Sequence, residues 1–392
     1  MNVIYVDLST GSGGSSRSLL TLLTAALDNQ INVSVLCYEN RVLINFCEQK
    51  GIPYHVIVLN QSKMKTKIKK NLFRLIPKYK RYNEERQIRD CLLSLLISGE
   101  KNIVHTNTQP LSDESAIRAA SKLRVPVVSH IRSLRIFHKE KKRLAKINKI
   151  VAKFIPASFH AMNVWCAAGL ERQKCLVVPN AIKMPTLANW DNPKKSNNRK
   201  VSTTIKNLGI IGRVVPWKGH KIAIGALAEL GCTYPDLKLH VYGTGYFMPE
   251  VKKTVARANL TDRVVFHGDI EDSISIYPNI DLILQPSSRD VCSRVLLESL
   301  AYGVPVVASN YGGNPEIIVD RVNGLLANRD SEGFAEAITD TIENPEIVRK
   351  RIVEGWKTVQ EKFSPERQSE IIYKIYRSLT VADEFDANLF DS

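Results

Sequence analysis

The chain has 392 residues, of which 44% are hydrophobic and 24% are charged, and its formal net charge is +16. This length exceeds what one hydrophobic core usually organises, so two α/β domains are expected, and no apolar run is long enough to span a bilayer. The positive charge indicates an anionic partner, which could be a nucleotide, a lipid headgroup surface or nucleic acid.

Cysteine usage and the first residues indicate the compartment. The seven cysteines are scattered and form no Cys-x-x-Cys pair, which is typical of free thiols in a reducing cytoplasm and provides no structural zinc site. Met1 to Leu8 has the pattern of a β-strand and lacks the basic flank and the cleavage site of a signal peptide. We therefore expect a cytoplasmic protein.

The first predicted strand, residues 2 to 8, ends in a loop rich in glycine and serine, and an amphipathic helix is predicted from about Ser18 to Leu27. Glycine lets the backbone turn tightly and lets an anion approach the N–H groups. The spacing Gly11-x-Gly13 resembles the start of a dinucleotide fingerprint, but Ser16 stands where the third glycine belongs. A ligand-facing loop is therefore favoured over a dinucleotide site, with a plain strand-to-helix turn as the alternative.

Further apolar runs alternate with helical stretches and predict a parallel sheet covered on both faces. One of them, Pro126 to Ile131, places His130 at the carboxyl end of a strand, where the ligands of such a sheet bind. A lone histidine is usually structural, and here a ligand contact is an equal alternative. His105, at the end of the preceding strand, is a weaker candidate of the same type.

A basic segment interrupts this alternation. No acid occurs between Glu48 and Glu84, and nine cations lie between Lys63 and Arg81 with apolar residues interleaved. Such a segment can lie in an anionic membrane interface, and this reading is favoured over a solvated loop or a nucleic-acid contact.

A polar stretch poor in pattern, Leu187 to Lys206, is predicted to be a linker. A buried strand follows at Leu208 to Ile211, and the next loop carries Arg213 and Lys218 and leads into a helix. Two cations beside the free N–H groups of a helix start suit a pyrophosphate. The alternative is a turn with surface cations.

Two acids mark a second loop of this half. The strand Asp281 to Leu284 is followed by a polar loop, and a helix begins near Ser293. Asp290 lies in the loop at the carboxyl end of the strand, and Glu298 projects from the helix. Ligands of a parallel α/β sheet bind at this position.

In this order the motifs resemble a retaining GT-B glycosyltransferase of glycosyltransferase family four, also described as glycosyl transferases group 1. The resemblance covers nearly the whole chain and is strongest from Leu208 to Leu326. The matching motifs are, in chain order, Gly13-Gly14, His130, Val178-Pro179-Asn180, Gly212-Arg213 through Lys218-Gly219, and Leu297-Glu298 through Ala308.

The resemblance implies an α/β fold of the GT-B type, with two Rossmann-like parallel-sheet domains facing a cleft. An acceptor domain would span residues 1–186, a linker 187–206, and a nucleotide-sugar donor domain 207–364. A helix at 365–380 would pack back on the amino-terminal domain, and residues 381–392 would form a frayed acidic tail.

Roles follow from the resemblance position by position. Arg213 and Lys218 would neutralise the donor diphosphate, whose charge grows as the glycosidic bond breaks. Glu298 would accept hydrogen bonds from the ribose and Asp290 from the donor sugar, while His130 would orient that sugar from the opposite domain. The remaining donor-binding residues would be Gly13 and Gly14 at the cleft floor and Val291, Cys292, Ser293 and Arg294 beside the phosphates.

The sequence departs from the family pattern at two positions. Asp290 stands where the family has its first glutamate, and Ser293 stands where a glycine is usual. Aspartate keeps the charge but reaches about one methylene less far, so the loop must approach the sugar more closely or accept a different hydroxyl pattern. We expect altered donor preference or low activity.

The implied function is a hexosyltransferase that retains anomeric configuration and moves a sugar from a nucleotide-diphosphate-sugar to a lipid-linked or polysaccharide-precursor acceptor. No cofactor and no metal would be required, in keeping with the lack of an Asp-x-Asp pair in a fitting loop. The basic segment adds a peripheral position at the inner face of the membrane. Two alternatives stay open: a nucleotide-sugar 2-epimerase of the same fold, and a non-enzymatic basic module for anionic surfaces.

Overall fold

The computed structural model describes residues 1–9, 13–58, 76–136, 140–185, 205–270 and 273–380. The predicted tail, 381–392, lies outside these residues, and so do Gly11 and the predicted linker up to residue 204. The predicted membrane segment lies outside them from Lys63 to residue 75.

The chain divides into two compact units. Unit 1 consists of Met1–Pro179 together with the last helix, and unit 2 consists of Asn180–Ser364. Each unit contains a six-stranded sheet whose strand pairs are all parallel. Helices connect successive strands, as parallel pairing requires. The predicted pair of Rossmann-like α/β domains is therefore confirmed.

The strands of unit 1 are buried apolar runs; all six residues of the first strand, for example, are buried. Six strands and six α-helices precede the last helix among the described residues of this unit. They are β1 (Asn2–Asp7), α1 (Gly14–Asp28), β2 (Asn32–Cys37), α2 (Arg41–Lys50), β3 (Tyr54–Val56), α3 (Ile76–Leu95), β4 (Asn102–Thr106), α4 (Glu114–Lys122), β5 (Val127–Ile131), α5 (Lys141–Ile150), β6 (Val151–Pro156) and α6 (Phe159–Ala167).

Unit 2 repeats this alternation of strands and helices. Its core joins strand residues such as Leu208 and Leu239 to the helix residues Leu227 and Phe334. The elements are β7 (Asn207–Ile211), α7 (His220–Glu229), β8 (Lys238–Tyr242), α8 (Met248–Arg257), β9 (Val264–Gly268), β10 (Leu282–Gln285), α9 (Arg294–Ala301), β11 (Val306–Ser309), β12 (Leu325–Ala327), α10 (Ser331–Glu343) and α11 (Pro345–Lys362).

The last helix, α12 (Pro365–Thr380), belongs to the core of unit 1 although it follows unit 2 in the chain. Its residues Ile372, Ile375 and Tyr376 are buried in the same cluster as Tyr5 and Leu19. Apolar residues three and four positions apart form one stripe on a helix, which explains this packing.

Both sheets have the same strand order. Unit 1 has β3-β2-β1-β4-β5-β6, and unit 2 has β12-β11-β10-β7-β8-β9. In each sheet the connections reverse direction between the first and fourth strands of the unit. Ligands of open parallel sheets bind outside the carboxyl ends of strands at such a switch point. A ligand site is therefore expected after β1 and β4 in unit 1 and after β7 and β10 in unit 2.

Candidate active site

Two loops meet at the switch point of unit 2. The cationic loop, residues 212–219, follows β7, and the acidic loop, residues 286–293, follows β10. Because β7 and β10 are paired neighbours, their carboxyl ends lie side by side. The Ser288 N–H donates a hydrogen bond to the Trp217 carbonyl at 2.9 Å, so the two loops are joined by their backbones.

Glycine allows this close approach. Gly219 has φ 77°, in the left-handed region, and ends the short helix Pro216–Lys218 directly before α7. A Cβ atom at Gly219 would lie 2.3 Å from the Pro286 carbonyl oxygen. Any other residue would therefore be strained in its backbone and would push the two loops apart.

Lys218 and Asp290, both predicted catalytic residues, form an ion pair across the two loops. The Lys218 ammonium lies 2.8 Å from Oδ1 and 3.0 Å from Oδ2 of Asp290. The side chains are 19% and 16% exposed, so the pair is shielded but reachable. Gln285, the last residue of β10, donates from its amide to Asp290 and to Ser293 Oγ. Gln285 had no role in the sequence prediction, because the predicted strand ended one residue earlier.

Arg213 differs from Lys218 in having no partner. It is exposed and makes no hydrogen bond or ion pair within the part of the chain that the structure describes. The nearby Arg289 guanidinium lies over the Trp217 ring, 5.4 Å from its centroid. The cationic loop thus presents one uncommitted cation beside a paired one, which suits an incoming anion.

Glu298 lies on α9, as predicted, and is buried. Tyr277 donates to its Oε2 at 2.7 Å, and Arg294 approaches its Oε1 at 3.2 Å from one turn earlier. These two contacts fix the carboxylate, while an ionised carboxylate can accept further hydrogen bonds. Ser293 caps α9, since its hydroxyl accepts the Leu296 N–H at 3.4 Å. Tyr277 carried no signal in the sequence, because it lies in the short 3-10 helix Ser273–Asn279, where no element was predicted.

The backbone between the two acids is held by its surroundings. Val291 and Cys292 are buried, and the Asn180 amide donates to the Cys292 carbonyl at 2.7 Å. Gly313 donates its N–H to the Asp290 carbonyl at 2.9 Å. A Cβ atom at Gly313 would lie only 1.6 Å from the Val291 carbonyl oxygen. The position of Asp290 therefore depends on this glycine, which sequence analysis did not single out.

In unit 1, the glycine pair lies at the start of α1. Gly14 is the first residue of the helix and Gly13 precedes it as the N-cap, so the predicted helix start near Ser18 was wrong by one turn. Ser16 is buried, and its hydroxyl donates to Asp7 Oδ2 at 3.2 Å. A serine bound in this way occupies the space that a dinucleotide fold leaves open with its third glycine, which argues against a dinucleotide site.

A polar cluster lies at the switch point of unit 1, and its residues Asp7 and Asn107 were not among the sequence predictions. Asp7 ends β1, and Asn107 follows β4 and donates to it at 3.2 Å. The Arg132 guanidinium in turn donates to Asn107 at 3.0 Å. Asp113 is fully buried nearby, and burial raises the pKa of its carboxyl to about 7. A polar residue at the end of a buried apolar run was the signal that could have found Asp7 and Asn107.

His130 lies on β5, again in unit 1, and is completely buried. Its Nδ1 lies 2.7 Å from Nε2 of His105, so the two histidines that the sequence placed on neighbouring strands are hydrogen-bonded. Burial lowers the pKa of His130 well below its usual value, and the positive charge of Arg132 lowers it further. His130 is therefore a neutral imidazole.

The described residues contain neither a metal-binding cluster nor a membrane-spanning helix. Within them, no group of three histidine, cysteine or acidic side chains is arranged to hold a metal ion. Likewise, no helix within them is long and apolar enough to cross a membrane.

Two Rossmann-like units of this strand order define a GT-B fold, and comparison with solved structures agrees. The structure of Anabaena Alr3699/HepE in complex with UDP-glucose is similar with a TM-score of 0.76 at 21% identity, covering 96% of this chain and 100% of that one. A glycosyltransferase from Rickettsia africae gives a TM-score of 0.77 at 17% identity, covering 97% and 99%. At these identities the likeness concerns the fold.

The amino-acid sequence also resembles that of a known family over part of its length. Residues 191–358 match the family described as Glycosyl transferases group 1, which confirms the predicted resemblance for the part of the chain that holds both loops. The lipopolysaccharide core biosynthesis mannosyltransferase LpcC of Rhizobium leguminosarum is 29% identical over 44% of this chain and 51% of its own length. An uncharacterized glycosyltransferase of Methanocaldococcus jannaschii is 29% identical over 44% and 49%. The chain thus spans about half the length of the first curated relatives it matches.

Proposed function

We propose that this protein is a glycosyltransferase that moves a sugar from a nucleoside-diphosphate sugar to a glycan or lipid-linked acceptor in cell-surface glycan biosynthesis. The observation that carries the proposal is the contact of Lys218 with Asp290 across the two loops at the switch point of unit 2, with Arg213 in the same cationic loop and Glu298 on the helix that follows the acidic loop. The names of relatives support it, since LpcC and LpsE are lipopolysaccharide core biosynthesis enzymes. The solved HepE structures contain UDP or UDP-glucose, which supports a nucleotide-sugar as donor.

The cationic loop would bind the diphosphate. Arg213 supplies an exposed guanidinium, and Lys218 supplies an ammonium already held in place by Asp290. As the bond between the sugar and the phosphate breaks, negative charge grows on the leaving diphosphate, and two fixed cations stabilise it. We propose that these cations take the role that a divalent metal has in other sugar transferases. Activity should then be unchanged by EDTA.

Asp290 would have two tasks at once. Its carboxylate orients Lys218, and its remaining lone pairs can accept hydrogen bonds from hydroxyls of the donor sugar. Gln285 holds the same carboxylate from the strand side, so the aspartate stays in place when the ammonium turns toward a phosphate. Because aspartate is shorter than the glutamate of the family pattern, the sugar would have to lie close to the acidic loop.

Glu298 would bind the ribose of the nucleotide. Tyr277 and Arg294 fix its carboxylate and leave it able to accept from two neighbouring hydroxyls. We propose further that the sugar is transferred with retention of configuration. The acceptor hydroxyl then attacks the anomeric carbon on the face that the diphosphate leaves, and a phosphate oxygen takes its proton. No side chain is assigned as general base.

A decisive experiment combines binding with transfer. We expect UDP- or GDP-sugars to raise the melting temperature of the purified protein, because a ligand at a hundred times its Kd contributes about 2.7 kcal/mol to stability. Arg213→Ala should lose this stabilisation. Arg257→Ala removes an exposed arginine from α8 of the same unit and is the matched control.

Two results would contradict the proposal. One is equal stabilisation of wild type and Arg213→Ala by every nucleotide-sugar. The other is conversion of the intact donor to its C2 epimer with no acceptor present, which would indicate an epimerase. Retention is tested by NMR of the anomeric proton in the product.

Peripheral membrane binding is part of the proposal through the basic segment Lys63 to Arg81. Nine cations and no acid would be attracted to anionic lipids by about 1 kcal/mol for each cation near the surface. Flotation with anionic and with neutral vesicles tests this. Replacing the nine cations by glutamine should abolish binding to the anionic vesicles, and unchanged binding would remove the segment from the proposal.

A further inference from the structure

Four aromatic side chains form a continuous hydrogen-bonded chain through the core of unit 1. Tyr376 of α12 donates its hydroxyl to Tyr5 of β1 at 3.1 Å. Nδ1 of His105 is hydrogen-bonded to the Tyr376 hydroxyl, and Nε2 of His105 lies 2.7 Å from Nδ1 of His130. All four side chains are at most 1% exposed. The links are therefore shielded from bulk solvent, and the protons are confined to the hydrogen bonds of the chain.

The chain ends on an atom without a partner. Nε2 of His130 is buried and makes no hydrogen bond within the residues that the structure describes. A buried polar atom without a partner costs free energy, so such atoms are rare and call for an explanation. The carboxyl end of β5 is one place where a ligand of this sheet could supply the missing partner.

The geometry between the two imidazoles restricts their protonation. Their rings are nearly parallel, with an interplanar angle of 8°, and the nitrogens are 2.7 Å apart. At that distance one nitrogen must carry a proton and the other a lone pair. Burial lowers the pKa of His105 to about 3 and that of His130 well below its usual value. Both rings are neutral near pH 7, so the only freedom left is the choice of tautomer.

We propose that Tyr5, Tyr376 and His105 form a tautomer relay that keeps the proton of His130 on Nδ1 and presents a bare Nε2 to a ligand hydroxyl. The direction follows from Tyr376 donating to Tyr5. The oxygen of Tyr376 then accepts from Nδ1–H of His105, so Nε2 of His105 holds a lone pair and accepts from Nδ1–H of His130. Tyr5, Tyr376 and His105 are positioning residues, and the ligand class is a sugar. This role of Nε2 rests on the proposed glycosyl transfer, whereas the tautomer itself does not.

The relay makes opposite predictions for two hydroxyls. In Tyr5→Phe, Tyr376 loses its acceptor and turns to donate to Nδ1 of His105. Both histidines must then carry their protons on Nε2, so the atom presented to the ligand becomes a donor. In Tyr376→Phe the link is broken, and neither histidine is held in a single tautomer. Tyr373→Phe is the matched control, because the Tyr373 hydroxyl is buried on the same helix without a partner among the described residues.

Nitrogen-15 NMR of histidine-labelled protein reads the tautomers directly, because a bare ring nitrogen resonates far downfield of a protonated one. Single His→Gln variants assign the two signals among the eight histidines. We expect Nδ1–H on both rings in wild type and Tyr373→Phe, Nε2–H on both rings in Tyr5→Phe, and averaged signals in Tyr376→Phe. Nε2–H on His130 of the wild type, or unchanged tautomers in Tyr5→Phe, would overturn the relay.

Steady-state kinetics test whether Nε2 of His130 contacts the ligand. Since one hydrogen bond of the ligand is replaced by a clash of two donors, kcat/KM for transfer should fall roughly tenfold in Tyr5→Phe and stay at the wild-type value in Tyr373→Phe. Reversed tautomers with unchanged kinetics would overturn the assignment of Nε2 to the ligand. Complete absence of transfer in the wild type would instead contradict the proposed function, and the NMR result would still decide the relay.

Discussion

The two units share one strand order but present different chemistry at the same topological position. After β1 and β4, unit 1 places Asp7, Ser16 and Asn107, which bind one another and are completely buried. After β7 and β10, unit 2 places an exposed arginine and a shielded ion pair between Lys218 and Asp290. Topology therefore determines where a ligand can bind, and the loop residues determine whether an anion is attracted there.

The largest effect is expected from breaking the ion pair of unit 2. Lys218→Ala removes a cation from the leaving diphosphate and leaves Asp290 without its partner, so transfer should fall by about a hundredfold to a thousandfold. The melting temperature should also drop, whereas Arg213→Ala should leave it unchanged because Arg213 has no ion-pair partner among the described residues. Lys221→Ala, an exposed lysine of α7, is the control in steady-state kinetics and thermal unfolding. Full activity of Lys218→Ala would show that the switch point of unit 2 holds no diphosphate.

The loops of the two units differ in how tightly they are packed around a glycine. At Gly313 an added Cβ would lie 1.6 Å from the Val291 carbonyl oxygen, while at Gly13 it would meet no described atom within 4 Å. Gly313→Ala should therefore cost about 2 kcal/mol or more through displacement of the acidic loop. Gly13→Ala should cost less, about 0.5–1 kcal/mol, because glycine is preferred over alanine at an N-cap but no described atom obstructs the added methyl group. Urea unfolding of both variants measures the difference, and equal costs would refute the contrast.

Much of this arrangement was accessible from the sequence. Apolar runs bounded by glycine and proline predicted the parallel sheets, and polar residues following those runs identified Arg213, Lys218 and Asp290. Partners joined through the tertiary structure were not accessible. Gln285 reads as the first loop residue after an apolar run, and only the pairing of β10 shows it to be part of the strand. Tyr376 acts 371 positions away from Tyr5, at a separation that no local pattern reveals.

The pH dependence of stability should contain a contribution from unit 2 that one substitution removes. His220 begins α7 and is buried with both ring nitrogens unpartnered among the described residues, and burial lowers its pKa to about 4. The unfolded chain binds a proton near pH 6.5 and the folded chain only near pH 4, so stability is lost as pH falls between these values. His220→Leu should remove this contribution, worth at most about 3 kcal/mol. Denaturant unfolding of the wild type and of His220→Leu at pH 7 and pH 4 measures it. An equal change in the free energy of unfolding between these pH values in both proteins would contradict the prediction.

The smallest expected effect distinguishes the two acids of unit 2. Tyr277→Phe removes one hydrogen bond to Glu298, worth about 1 kcal/mol, and leaves the ring in its stack with Tyr302. Tyr234→Phe removes an exposed tyrosine–glutamate bond of the same unit and is the control.

If Glu298 binds the ribose, Tyr277→Phe should lower the affinities for free UDP and for UDP-sugar by the same factor of about five, because both ligands contain the ribose. If Glu298 instead contacts the sugar, only the affinity for UDP-sugar should fall. Calorimetric titration with the two ligands separates these cases. Loss confined to the UDP-sugar would move Glu298 beside Asp290 at the sugar and leave the ribose to another residue of the acidic loop.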